Sequence, residues 1–149
     1  MSPHDIALIQ RWNDTKDPDA FAEIVRQYAG LVYGACLRVL RNPSDAEDVS
    51  QECFMNISEI PLHITTSFSG WLHTMATRNA INRLRSNTRR ITRETNYAAS
   101  QPHATSIAWN DAQHLIDEAI AALPDEQRIP LIEHYLTGRT LESIGNDIG

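Results

Sequence analysis

Residues 19–60 read DAFAEIVRQYAGLVYGACLRVLRNPSDAEDVSQECFMNISEI, and this stretch decides the fold class. Phe21, Ile24, Val25, Tyr28, Leu31, Val32, Ala35, Cys36, Val39 and Leu40 recur at steps of three and four, the signature of one buried face on a long helix. Gly30 and Gly34 weaken that helix locally without breaking its period. Asn42-Pro43 ends it, and Ser44 followed by Glu47 predicts a capping box that opens a second helix. The second helix is expected to bury Val49, Cys53, Ile57 and Ile60 and to stop at Pro61. Cys36 and Cys53 fall at apolar helical positions and read as reduced core residues, since two cysteines make no disulfide scaffold.

The same periodicity extends in both directions. Ile6, Leu8, Ile9 and Trp12 predict a short helix ahead of the Asp14–Asp19 stretch. Behind it, residues 61–67 alternate and carry β-branched side chains, yet a shaped loop suits a segment with helices on both sides better than a strand does. A further helix is predicted over 69–90. Leu72, Met75, Ala76 and Ala80 form its inward stripe, while Trp71, Arg78, Asn82 and Arg85 share another stripe. A tryptophan at the start of a helix reads as a core anchor. Residues 91–111 lose the period and become rich in Ser, Thr and Ala, which predicts a flexible linker between two units, 1–90 and 112–149. In the second unit, Leu115, Ile116, Ala119, Ile120 and Leu123 predict one helix and Ile129, Leu131, Ile132, Tyr135 and Leu136 another, with a bend at Pro130. Thr137-Gly138 closes that helix. Thr140 then caps a short last one with Leu141, Ile144 and Ile148 inward.

Charge is distributed unevenly. The chain of 149 residues carries 13 Lys and Arg against 19 Asp and Glu, for a net charge of −6. Counted along the sequence, residues 1–60 hold 5 basic and 10 acidic side chains, residues 61–110 hold 6 and 1, and residues 111–149 hold 2 and 8. The six basic residues of the central segment are all arginines (78, 83, 85, 89, 90 and 93), so a basic helix sits within an acidic protein. Arginine offers a planar fork for phosphates and base edges, which suits a polyanion better than a membrane surface. No apolar run approaches the roughly 18 to 20 residues of a membrane span, and the charged N-terminus is unlike a secretory signal, so a cytoplasmic location is expected.

Three stretches, in order, resemble the extracytoplasmic-function group of bacterial RNA polymerase sigma factors. FAEIVRQYAGLVYGACLRVLRNPSDAEDVSQECF (21–54) is similar to the family's second sigma domain. FSGWLHTMATRNAINRLRSNTRR (68–90) is similar to its promoter-contacting helix, and LPDEQRIPLIEHYLTGRTLESIGNDIG (123–149) to the start of the fourth sigma domain. The resemblance implies an all-α fold: a helical second domain, a linker and a partial helix-turn-helix fourth domain. Two short helices meeting at Gly138 are what precede a recognition helix. Either the chain stops short of that helix at Gly149, or the second unit is a remnant that does not read DNA.

The family pattern also implies roles for particular residues. Asp45, Asp48, Gln51 and Glu52 would dock on core RNA polymerase, and the spacing of 48, 51 and 52 puts those three on one helix patch. Arg78, Asn79, Asn82, Arg83, Arg85, Arg89 and Arg90 would contact the promoter −10 element and its non-template strand as the duplex opens. Asn79 and Arg83 lie nearer the inward stripe, which leaves structural roles open for them. His63, Thr65, Thr66 and Ser67 would line the loop that holds a flipped base. An anti-sigma factor is a further partner that the resemblance allows. The +5 and −6 segment charges suggest, in addition, that the arginine segment lies against the C-terminal unit.

Other classes fit less well. A helical DNA-binding regulator working without polymerase would need a complete helix-turn-helix. An enzyme would need a nucleophile beside a base, or metal ligands at usable spacing. The acidic cluster Asp45, Glu47, Asp48 and Glu52 lacks the Glu-x-x-His pairs of di-iron bundles, and the six histidines are scattered, so no catalytic role, metal or cofactor is expected.

Overall fold

The computed structural model describes residues 1–64, 66–95 and 109–148. Thr65 and most of the expected linker therefore lie outside the described residues. Among the described residues seven helices follow one another: α1 (Pro3–Thr15), α2 (Pro18–Leu40), α3 (Pro43–Glu59), α4 (Phe68–Thr95), α5 (Trp109–Ala122), α6 (Asp125–Leu131) and α7 (Leu141–Ile148). No strand occurs among them, and no described helix is long and apolar enough to cross a membrane.

Helix α2 is the axis, with α1, α3, α4 and α5 all packed against it. Its Ile24, Tyr28, Val32, Ala35, Cys36 and Val39 meet Ala46, Val49, Cys53 and Ile57 of α3 and Phe68, Leu72, Ala76 and Ala80 of α4 in one continuous core. Cys36 and Cys53 are wholly buried and free. A hydrogen bond with Cys53, and burial itself, push the Cys36 thiol above its ordinary range, which fits an inert core thiol. Trp71 is half-buried and stacks on Phe68 with ring centroids 6.1 Å apart, an anchor as expected.

The first three helix starts share one device. Ser2, Asp17 and Asn42 accept backbone N–H groups as N-caps, each with a proline in the first turn. The expected Ser44–Glu47 capping box is thus replaced. Asn42 Oδ1 takes the N–H groups of Ser44 and Asp45 at 2.9 and 3.1 Å, because Pro43 is preorganised for the first helical position. Helix α2 ends on Arg41 in the left-handed region (φ 56°).

Four other expectations are corrected. Ile60 lies just past the end of α3 and is exposed rather than buried. Helix α4 continues through residues 91–95, since no glycine or proline stops it and Thr88, Thr92 and Thr95 bond back to carbonyls four residues earlier. On α5 the apolar Leu115 and Ile116 are exposed, while Asp117 is the fully buried residue. Leu141 is exposed on α7, which buries Ile144 instead; the Ile148 side chain lies outside the described set.

Pro130 produces a change of helix type. After Leu131 the chain widens into a π-helical turn over Ile132–Leu136, with the Thr137 N–H reaching the Ile132 carbonyl at 3.1 Å. That turn rolls Ile132 into the common core. Gly138 (φ 75°) then reverses the chain, and Thr140 caps α7 through the N–H of Ser143 at 3.2 Å.

Candidate nucleic-acid interface

Helix α3 turns its apolar side to the core and leaves Asp48, Gln51 and Glu52 exposed on one edge, with Asp45 half-buried beside them. The edge is not an isolated carboxylate cluster. Arg83 of α4 reaches across and donates to Glu52 Oε1 at 2.6 Å, and stands 3.9 Å from Asp45. Asn87 donates to the same Asp45 carboxylate at 3.3 Å. Asp48 and Gln51 remain the outward members of the patch.

Helix α4 sorts its polar residues the same way. Arg78, Asn82, Arg85, Arg89 and Arg90 lie on its polar side, and all five are exposed to solvent. Asn79 turns inward and donates to Cys53 Sγ at 3.3 Å. Asn79 and Arg83, the two residues nearer the inward stripe, therefore both bond within the protein. Along an exposed helix face each guanidinium keeps its fork free for a phosphate.

The loop between α3 and α4 is pinned at one end by Asn13, whose side chain exchanges two 2.8 Å hydrogen bonds with the backbone of Leu62. His63 and Thr66 are exposed beyond that anchor. Ser67 is buried. Its hydroxyl takes the Gly70 N–H at 3.1 Å, lies 2.9 Å from the Ser69 hydroxyl and donates to Glu133 Oε1 at 2.9 Å. In this arrangement Ser67 caps α4 and has no free edge toward solvent. His63, Ile64, Thr66, Trp71, Thr74 and Arg78 line one side of a cleft, and Asp125, Arg128 and Ile129 of α6 line the other. The loop supplies donors and acceptors and α4 an aromatic floor with a cation, a combination that suits a base and its phosphate.

The arginine segment meets the C-terminal helices only along part of its length. Thr77, Arg78, Ile81, Asn82 and Arg85 form a second cleft with Glu118, Ala121 and Ala122 of α5, whereas Arg89 and Arg90 lie farther along α4.

Sequence reasoning missed the buried ionic group between α5 and the first four helices. Asp117 accepts from Arg38 Nε at 2.7 Å and Arg38 Nη2 at 2.8 Å, and its Oδ1 lies 2.9 Å from His73 Nε2. The Asp117 and His73 side chains are 1% and 0% exposed, and Arg38 is 34% exposed. Burial alone would raise the Asp117 carboxyl, but the hydrogen bonds from His73 and Arg38 outweigh it and hold the group below its ordinary range. Glu133 is a second such member, bonded to Ser67, Ser69 and Arg139. The available signals were a carboxylate within the apolar run Leu115–Ile120 and a histidine beside Leu72 on the inward stripe of α4.

The family model for Sigma-70 region 2 matches residues 24–90, the segment from α2 through the arginines of α4. The ECF RNA polymerase sigma factor SigW of Bacillus subtilis is 31% identical over 144 residues, covering 87% of this chain and 77% of that protein. The ECF sigma factor SigK of Mycobacterium tuberculosis (strain ATCC 25177 / H37Ra) is 33% identical over 134 residues, covering 83% and 71%. SigK of Mycolicibacterium vanbaalenii is 29% identical over 140 residues, covering 88% and 71%. Similarity thus extends well beyond the region matched by the family model, and the chain belongs to the ECF group of RNA polymerase sigma factors.

Proposed function

We propose that this chain is a transcription initiation factor that engages core RNA polymerase through the outward edge of α3 and the promoter −10 element through α4 and the loop before it. One observation carries the reading: an acidic and amide edge (Asp48, Gln51, Glu52) and an arginine face (Arg78, Arg85, Arg89, Arg90) stand on adjacent helices of one common core. An acidic edge suits a basic partner surface, and an arginine face suits a phosphate backbone. The two faces bring protein and DNA to neighbouring surfaces, as a factor that places polymerase on a promoter requires. On the DNA side, Arg78, Asn82, Arg85, Arg89 and Arg90 are assigned to the strand and His63 and Thr66 to a displaced base. Arg83 and Asn79 are assigned to holding α4 on α3, and Ser67 to capping α4. Asp45 shapes the polymerase edge through Arg83 and Asn87. An anti-sigma protein would compete for the same two faces.

Capture of core RNA polymerase by the wild type and by the Asp48→Arg, Glu52→Arg double variant tests the assignment, with circular dichroism confirming that both are folded. The expected result is capture by the wild type and its loss in the folded variant. Undiminished capture by the variant would overturn the placement of the docking edge, and no capture by a folded wild type would overturn the function.

A further inference from the structure

We propose that Asn13 of α1 is a positioning residue for base capture: by clamping the backbone of Leu62 it fixes the register in which the loop before α4 presents His63 and Thr66, a role that rests on the base-holding function proposed for that loop above. Little else fixes the loop. Among the described residues, the backbone of 61–64 and 66 makes no hydrogen bond to other backbone, and Pro61 has no N–H to offer. The two hydrogen bonds that this span does receive both come from Asn13. Its Nδ2 donates to the Leu62 carbonyl and its Oδ1 accepts the Leu62 N–H, each at 2.8 Å. An asparagine amide carries a donor and an acceptor side by side, so it pairs with both groups of a single residue much as a neighbouring strand would. At the far end Ser67 caps α4 through the Gly70 N–H at 3.1 Å, and His63 to Thr66 are spanned between the two fixed points.

The clamp decides which side chains face outward. Leu62 is 3% exposed and belongs to the common core, whereas Pro61 and His63 on either side of it are exposed, as is Thr66. In an alternating segment a slip of one residue exchanges the inward and outward sets. Burial of Leu62 favours the observed register, but an apolar contact has no direction; the amide fork does. Asn13 is itself firmly placed. The neighbouring Trp12 is buried, its ring 4.6 Å from that of Phe21 on α2 and 4.5 Å beneath the Lys16 ammonium, and the Lys16 N–H closes α1 on the Trp12 carbonyl at 3.0 Å. The loop is thereby referred to α2, the axis of the fold, through a side chain 49 residues away in the sequence. Asn13 touches no DNA in this scheme and acts only through the loop.

The test uses the full chain assembled with core RNA polymerase. Single-stranded DNA twelve-mers are selected by the wild-type complex from a randomised pool, then remade with each of the four bases at every position, and their affinities are measured at fixed salt. The position read by the loop is the one at which His63→Ala, Thr66→Ala loses discrimination. At that position Asn13→Ala is expected to reduce the ratio between the best and worst base on the order of tenfold, with ratios elsewhere and capture of polymerase unchanged. Lost stability alone lowers the active fraction and scales every affinity together, leaving these ratios as they were. Should Asn13→Ala lose helicity by circular dichroism, Asn13→Ser supplies the comparison, since its short hydroxyl cannot pair with both backbone groups. Full discrimination in a folded Asn13 variant, beside its loss in the loop variant, would overturn the positioning role while leaving the base-holding reading intact. Full discrimination in the loop variant itself would sink that reading, and the role of Asn13 with it.

Discussion

Replacing Asp117 with alanine isolates the strength of the buried ionic group. The substitution deletes three hydrogen bonds of 2.7, 2.8 and 2.9 Å from a side chain that is 1% exposed. The two partners respond differently. Arg38 keeps 34% exposure, so water recovers most of what its guanidinium loses. His73 is fully buried and its Nδ1 already has no protein partner, so the variant leaves both ring nitrogens unbonded. An unpaired buried polar group costs about 1–3 kcal/mol, and loss of the charge-assisted bonds with Arg38 adds about 1. The expected loss is therefore about 2–4 kcal/mol in urea unfolding. The ceiling is the docking free energy of α5–α7, because release of those helices lets His73 reach water. A double-mutant cycle with His73→Ala should return a coupling of about 1–2 kcal/mol. A single-variant loss below about 0.5 kcal/mol, or additivity within that margin, would refute the idea that His73 depends on Asp117.

Acid should weaken the same contact. The folded Asp117 carboxyl titrates below the ordinary value, so its contribution is full above the unfolded carboxylate value of about 4 and fades as pH falls through the lowered one; faster exchange of the α5 amides below about pH 4 than near neutrality, after correction for intrinsic rates, is the expected result. Arg78→Ala and Arg85→Ala should each reduce the salt dependence of single-strand binding by the polymerase-bound protein, by about 0.7 in the log–log slope for each phosphate no longer neutralised. Arg83→Ala should leave that slope unchanged and lower stability by less than about 1 kcal/mol, because its pairs with Glu52 and Asp45 are partly exposed. Leu72→Ala, at the centre of the core with 0% exposure, should cost about 2–5 kcal/mol by urea unfolding.

The helical plan was legible because it rests on local signals that repeat. Apolar residues at steps of three and four forecast α2, and its face meets the core as expected, with Ile24, Tyr28, Val32, Ala35, Cys36 and Val39 buried. The inward stripe of α4 and the half-buried Trp71 were equally readable. Caps were less so: Asn42 and Ser44 are both good N-cap residues, and only the fixed φ of Pro43 favours the earlier start. The C-terminal unit misled the periodicity argument. Leu115 and Ile116 form a plausible apolar face, but α5 rotates so that Asp117 meets Arg38 and His73, residues 79 and 44 positions away. A pairing across that separation leaves no local trace. The division of the arginines between Arg83, which binds α3, and Arg78 or Arg85, which do not, likewise depends on which helix lies alongside.

The contrast between the two kinds of contact explains how one chain can be both firm and divisible. Helices α1–α4 meet through Ile57, Phe68, Leu72 and their neighbours, these three no more than 1% exposed, and separating them would expose large apolar surfaces that water does not compensate. The α5 seam concentrates on Asp117, with Arg38 and His73, groups whose hydration repays much of what the docked hydrogen bonds supply. Ile132 is the exception, a wholly buried apolar side chain that the π-helical turn after Pro130 inserts into the core. It gives the π-helical turn an apolar anchor of its own, separate from the ionic anchor of α5, and predicts that the two can be released independently. Ile132→Ala should loosen the α6 end, raising hydrogen exchange at Ile132–Leu136 while the α5 amides keep their protection through Asp117. Asp117→Asn should do the reverse. If either substitution freed both segments together, α5 and α6 would move as one body, and the ionic and apolar anchors would not be separable.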